Sequence, residues 1–212
     1  MATAHTASSQ KRHSFHLGVT GGIGSGKSTF AALLARHGAA HVDADALSRA
    51  TTAAGGSAIA AIRAQFGDDF IDAGGALDRE RMRALVFAEP LARNRLQAII
   101  HPLVGEAIAR ATAQAEHSGK RLIALDLPLL TESSHWPARL DAVLVVDCQE
   151  STQIERVRVR SGLQPQAVEA IMAAQSSRAV RCMAADWVVY NDGLSLQQLE
   201  ALAAQVATSL GA

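Results

Sequence analysis

The sequence predicts an α/β fold, with three layers (α/β/α) built around a five-stranded parallel sheet. Three observations predict it. Short, nearly continuous apolar runs alternate along the chain with segments whose apolar residues recur three or four apart. Continuous apolar runs mark strands covered on both faces, and the amphipathic segments between them supply the covers. The runs also end in polar residues: Thr20, Asp43, Asp126, Asp147 and Asn191, with Asp45 just beyond. Open parallel sheets bind ligands at the carboxyl ends of their strands, so polar groups gathered there mark a site.

The elements follow in chain order. Residues 1–14, MATAHTASSQKRHS, are polar and lack the apolar stretch of a signal peptide, so a disordered leader is expected. FHLGVT (15–20) is the first strand. KSTFAALLARHG (27–38) has apolar residues at helical spacing and a stop at Gly38. AAHVDAD (39–45) is a second strand with a polar end. Residues 47–119 read mainly as helix, and about 55–100 of them are expected to form a helical subdomain beside the sheet. Pro102 suits the first turn of a helix there. LIALDLPLL (122–130) and DAVLVVD (141–147) are the third and fourth strands. ERVRVRSGLQPQAVEAIMAAQSSR (155–178) is arginine-rich and helical, with a turn from Gly162 to Pro165. WVVYND (187–192) is the fifth strand, and Ser195 is placed to cap the last helix. That helix carries Leu196, Leu199, Leu202, Val206 and Leu210 on one face.

Composition narrows the function classes. Lys plus Arg and Asp plus Glu number 20 each, so the formal net charge is zero. A nucleic-acid-binding protein usually carries a basic surplus, and none is present. Cys148 and Cys182 lie far apart and form no metal spacing, which points to two reduced, buried or half-buried thiols. No apolar run approaches the roughly 20 residues of a membrane span, and a cytoplasmic protein is expected. Nothing in the sequence calls for a membrane or an obligate protein partner.

Gly21 to Ser28, GGIGSGKS, fits G-x-x-x-x-G-K-[ST] between a strand and a helix. Glycines allow backbone angles in which successive N–H groups converge on an anion, and the following helix adds its N-terminal dipole. Lys27 is placed to reach the β- and γ-phosphates, and the Ser28 hydroxyl to ligate Mg²⁺. The loop therefore indicates a nucleoside triphosphate, without distinguishing kinase, GTPase or ATPase.

Other residues narrow that choice. Asp43 and Asp45 end the strand after the loop and helix, where a carboxylate can take or orient the proton of an attacking hydroxyl. Asp43 has the competing role of capping the next helix, so Asp45 is the preferred base. No Asn-Lys-x-Asp element is present to read guanine. Arg156 and Arg160 share a helix face after the fourth strand and suit a lid that neutralises phosphates. Arg158 faces away. Asp126 is either a carboxylate near the Mg²⁺ sphere or a strand-end cap, and His101 is expected to be a hydrogen-bonded structural residue.

These residues resemble the dephospho-CoA kinase family. The motifs, in order, are TGGIGSGKST, DAD, HP at 101–102, PLL-x-E at 128–132, VLVVD, the arginine helix, AAQ-x-x-R at 173–178 and AD-x-V-x-x-N-x-G at 185–193. They cover about residues 16–207. The resemblance implies a P-loop kinase fold in one domain, 15–212, with a helical substrate-binding subdomain and a lid at about 150–180. It implies phosphoryl transfer from ATP, with Mg²⁺, to the 3′-hydroxyl of dephospho-CoA, giving CoA and ADP. It assigns Gly24, Ser25, Gly26, Lys27, Ser28 and Thr29 to the ATP loop, Asp45 to the general base and Arg156 to the lid. It places Thr20 and Arg79 near substrate, and Asn191 and Gly193 near adenine. The competing readings are a kinase for another nucleoside or nucleotide and a nucleotide-gated binding module.

Overall fold

The computed structural model describes residues 13–132 and 139–212; residues 1–12 of the expected leader lie outside the described residues. Five strands form one all-parallel sheet: β1 (Phe15–Thr20), β2 (Ala40–Asp43), β3 (Leu122–Asp126), β4 (Ala142–Asp147) and β5 (Trp187–Tyr190). Their order across the sheet is β2-β3-β1-β4-β5. β1 is central. After it the chain builds β2 and β3 on one side, then β4 and β5 on the other. The switch in direction opens a crevice at the carboxyl end of β1, where the glycine loop leads into α1 (Lys27–Arg36).

Alternate strand residues face opposite layers. Leu17, Val19, Leu122, Ala124, Leu144 and Val146 pack with Phe30 and Leu34 of α1 and Leu199 of α9 (Leu196–Ser209). Ile123, Leu125, Val143 and Val145 pack on the other face with Leu47 of α2 (Ala44–Thr51) and Ile108 of α5 (Pro90–His117). Both faces of the inner strands are thus buried, which is why those strands read as unbroken apolar runs. A third cluster joins α3 (Ile59–Phe66), α4 (Arg79–Ala88) and the first half of α5 through Ile62, Met82, Leu96 and Leu103. After β4 come α6 (Glu150–Ser161), α7 (Pro165–Ala173) and α8 (Arg178–Met183).

Several sequence expectations need correction. Pro102 does not begin a helix: it lies inside the 28-residue α5, whose first turn is taken by Pro90. It is exposed, so water can satisfy the carbonyl that its missing N–H leaves unpaired. His101 beside it is also exposed and makes no side-chain hydrogen bond among the described residues. The third strand ends at Asp126 rather than residue 130. Leu196 is exposed at the start of α9, and Ala203 and Ala207 fill the core in its place. β5 is an edge strand that buries only Val189 and leaves Trp187, Val188 and Tyr190 open.

Candidate active site

A cleft of about 410 Å³ opens at the carboxyl end of β1. Its floor is the loop: Gly21 to Gly24, then Gly26 to Thr29. Asp45 and Pro128 form one wall, and Arg156, Arg160, Ile171 and Gln175 the other. Lys27, Arg156 and Arg160 thus face one cavity in a chain whose formal charge is zero, so the positive field is local.

Lys27 is nearly buried, and its ammonium is ion-paired with Asp126 at the end of β3. Asp126 is fully buried. Burial opposes its charge, but the adjoining His41 and Lys27 outweigh that and hold its carboxyl below the usual range. His41 Nε2 stands 3.6 Å from the second carboxylate oxygen, too far for a hydrogen bond. That Oδ2 has no hydrogen-bond partner among the described residues. Of the two roles open to Asp126, strand-end capping is not what it does: it sets Lys27 and keeps one oxygen without a partner among the described residues.

Asp43 is the N-cap of α2, its side chain accepting from the Ala46 N–H at 2.9 Å. Asp45 lies in the first turn of the same helix, exposed to the cleft, with no ion-pair or hydrogen-bond partner among the described residues. The two carboxylates of DAD therefore divide their work: one shapes the helix and the other is left for chemistry.

The back of the loop is held by Gln153 and Asn191, which lie outside the cleft wall, and by Arg156, which also lines it. The Gln153 side-chain amide donates to the Ile23 carbonyl at 2.8 Å. Asn191 donates to the Ser25 carbonyl at 2.8 Å, and Arg156 Nη1 to the same oxygen at 3.2 Å. Arg156 Nη2 also donates to the Asn191 carbonyl at 3.0 Å. On the cleft side, the Ile23 N–H donates to Gln175 at 3.1 Å.

The cleft brings together the loop's glycines, Lys27, Ser28, Thr29, Asp45, Arg156 and Arg160, as the sequence suggested. Arg158 faces away and pairs with Glu155 on the surface. Other assignments fall elsewhere. Ser25 is buried and outside the cleft wall, although its carbonyl anchors the loop. Thr20 is fully buried at the end of β1, so its side chain does not border the cleft. Arg79 begins α4 and donates to the Thr52 hydroxyl at 3.0 Å, away from the cleft wall. Asn191 is buried behind the loop, and Gly193 lies in the turn after β5; neither borders the cleft.

Sequence reasoning missed Gln153, Gln175 and Arg178. Arg178 grips Asp147 at the end of β4 with Nε at 2.9 Å and Nη2 at 2.7 Å, anchoring α8. Its AAQ-x-x-R motif was visible, as was Gln175 within it. Gln153 carried no signal, because a single glutamine in a helix has no signature.

The donors present fit Mg²⁺. Ser28 supplies a hydroxyl in the cleft, and Asp126 a buried carboxylate with one unpartnered oxygen. Both are hard oxygen ligands. Among the described residues no group of three His, Cys, Asp or Glu could hold a metal. A sparse protein set suits an ion that takes most of its ligands from phosphates and water.

A family model for dephospho-CoA kinase matches residues 15–197. A dephospho-CoA kinase of Albidiferax ferrireducens is 55% identical over 195 residues, 92% of each chain. The crystal structure of TT1252 from Thermus thermophilus superposes with a TM-score of 0.79 at 35% identity, covering 94% of this chain and 100% of that one. A dephospho-CoA kinase from Campylobacter jejuni superposes at a TM-score of 0.64 with 19% identity, covering 92% and 96%, which speaks for the fold. The chain belongs to the dephospho-CoA kinase family.

Proposed function

We propose that the cleft transfers the γ-phosphoryl group of ATP to the 3′-hydroxyl of the dephospho-CoA ribose, with Asp45 as general base. The observation that carries this reading is the opposition of two chemistries across one cavity. A phosphate loop with Lys27 and Ser28 forms the floor, and a carboxylate without a partner among the described residues, Asp45, stands on the wall beside it.

ATP lies with its phosphates on the loop. Lys27 is held by Asp126 at the edge of the cleft, ready to meet the β- and γ-phosphates. Mg²⁺ would be held by Ser28 and, directly or through water, by Asp126; when bound it neutralises charge on the phosphates. Arg156 and Arg160 face the same space from α6 and add positive charge where the phosphoryl group passes. Of the lid region 150–180, α6 stays against the loop, and closure of the part beyond it excludes water as a competing acceptor. The helical region of about 55–100 takes the pantetheine side, with Arg79 at its entrance. Asp45 orients the 3′-hydroxyl and accepts its proton as the new P–O bond forms.

Asp45→Asn tests the assignment. Turnover should fall by about 10²–10⁴-fold while ATP affinity stays near the wild-type value. Turnover within a few-fold of wild type would remove Asp45 from the role.

A further inference from the structure

The loop carries its phosphate-binding N–H groups only if its peptide planes are turned the right way. In a trans peptide the C=O of one residue and the N–H of the next point in opposite directions. All described peptides here are trans. Whatever holds the Ile23 carbonyl therefore fixes the direction of the Gly24 N–H. The same holds for the Ser25 carbonyl and the Gly26 N–H.

Two different elements hold these two carbonyls from behind. Gln153 of α6 binds the Ile23 carbonyl, and Asn191 after β5 binds the Ser25 carbonyl, each at 2.8 Å. Both side chains are buried and neither borders the cleft, whereas Gly24 and Gly26 both do. Neither the Gly24 nor the Gly26 N–H finds a protein acceptor among the described residues. The Gln153 amide orientation follows from chemistry: a carbonyl oxygen accepts only, so the NH₂ end must face it. The other end, Oε1, is buried without a partner among the described residues. An apolar side chain of similar size would avoid that unpartnered acceptor, so packing alone does not account for a glutamine here.

We infer that Gln153 is a positioning residue for phosphoryl transfer: it pins the Ile23 carbonyl outward and so aims the Gly24 N–H at the bound nucleotide's phosphates. It acts through the loop and touches no substrate. The inference rests on the phosphate-cradle reading of the loop given above. Because Asn191 and Arg156 hold the Ser25 carbonyl and Gln153 does not, the Gly24 and Gly26 N–H groups can be told apart.

The test uses the full chain labelled with ¹⁵N and Mg²⁺–ADP as the probe. In wild-type protein the Gly24 and Gly26 amide signals should both move on addition of Mg²⁺–ADP. In Gln153→Met, which keeps length and removes the donor, the Gly24 response should be lost and the Gly26 response retained. The kcat should fall by about 10-fold or more, with the KM for ATP changed less, since a lost anion-hole donor acts mainly on the transition state. A retained Gly24 response with kcat near wild type would overturn the inference. If Gln153→Met does not fold, the wild-type protein decides. The Gln153 side-chain amide should exchange slowly with solvent, with and without Mg²⁺–ADP, and fast exchange would overturn the inference. If neither glycine responds in wild-type protein, the cradle reading itself fails, a result distinct from failure of the Gln153 role.

Discussion

Lys27 and Asp126 show how a motif residue depends on one outside its motif. The loop names Lys27, but its ammonium sits where a fully buried carboxylate puts it. Removing one member of a buried pair leaves the other charge uncompensated. Lys27→Met should therefore lose stability by about 3 kcal/mol as well as activity. Adding Asp126→Asn should recover most of the stability and none of the activity, as read by denaturant unfolding and turnover. If the double variant is no more stable than the single one, the pair is not the cause. The pH dependence has a definite sign. The Asp126 carboxyl is lowered in the folded chain, so its contribution is present above its unfolded pKa and is lost as pH falls through the folded value. Stability of wild type should fall more steeply below about pH 4 than that of Asp126→Asn. Parallel curves would contradict the assignment.

At the scale of elements, α6 is a back plate for the loop as well as a carrier of arginines. The loop's glycines were legible as a phosphate cradle, yet part of the demand for them comes from behind. Gly24 has φ +76°, and a Cβ there would lie 2.6 Å from the Gln153 backbone oxygen. Gly119, in the turn after α5, has φ +78° but open space around it. Gly119→Ala should cost only the backbone strain, about 1–2 kcal/mol, seen as a lower Tm with kcat preserved. Gly24→Ala meets that strain and the α6 backbone together, so it should lower kcat as well as Tm. Equal effects at the two sites would show that α6 does not press on the loop. This also marks the limit of reading the sequence. Lys27, Ser28, Asp45 and Arg156 stand at motif spacing and are legible. The cap role of Asp43 is local and was legible too, but the role of Gln153 depends on which helix approaches which turn, and that is decided by tertiary packing. Pro102 misled for the same reason: its ring is compatible with a helix start, and only the run of α5 through it shows otherwise.

For the whole molecule, the sheet order was set by where the covering layers had to go. Apolar runs buried on both faces gave away the inner strands, while the edge strand β5, with one buried residue, was legible only by its place in the alternation. The crevice beside β1 follows from the order β2-β3-β1-β4-β5; Thr20, Asp43, Asp126 and Asp147 end strands at that side, and Asn191 follows the end of β5. The acceptor is what the loop could not name, and the family supplies it. The most direct measurement is therefore an acceptor competition. The full chain is incubated with Mg²⁺–ATP, dephospho-CoA and a set of other nucleosides and nucleotides, and products are followed by ³¹P NMR. Dephospho-CoA should be phosphorylated in preference to every competitor, at its ribose 3′-hydroxyl, with one ADP formed per CoA. Preferential phosphorylation of another acceptor, or loss of ATP without any phosphorylated acceptor, would contradict the account.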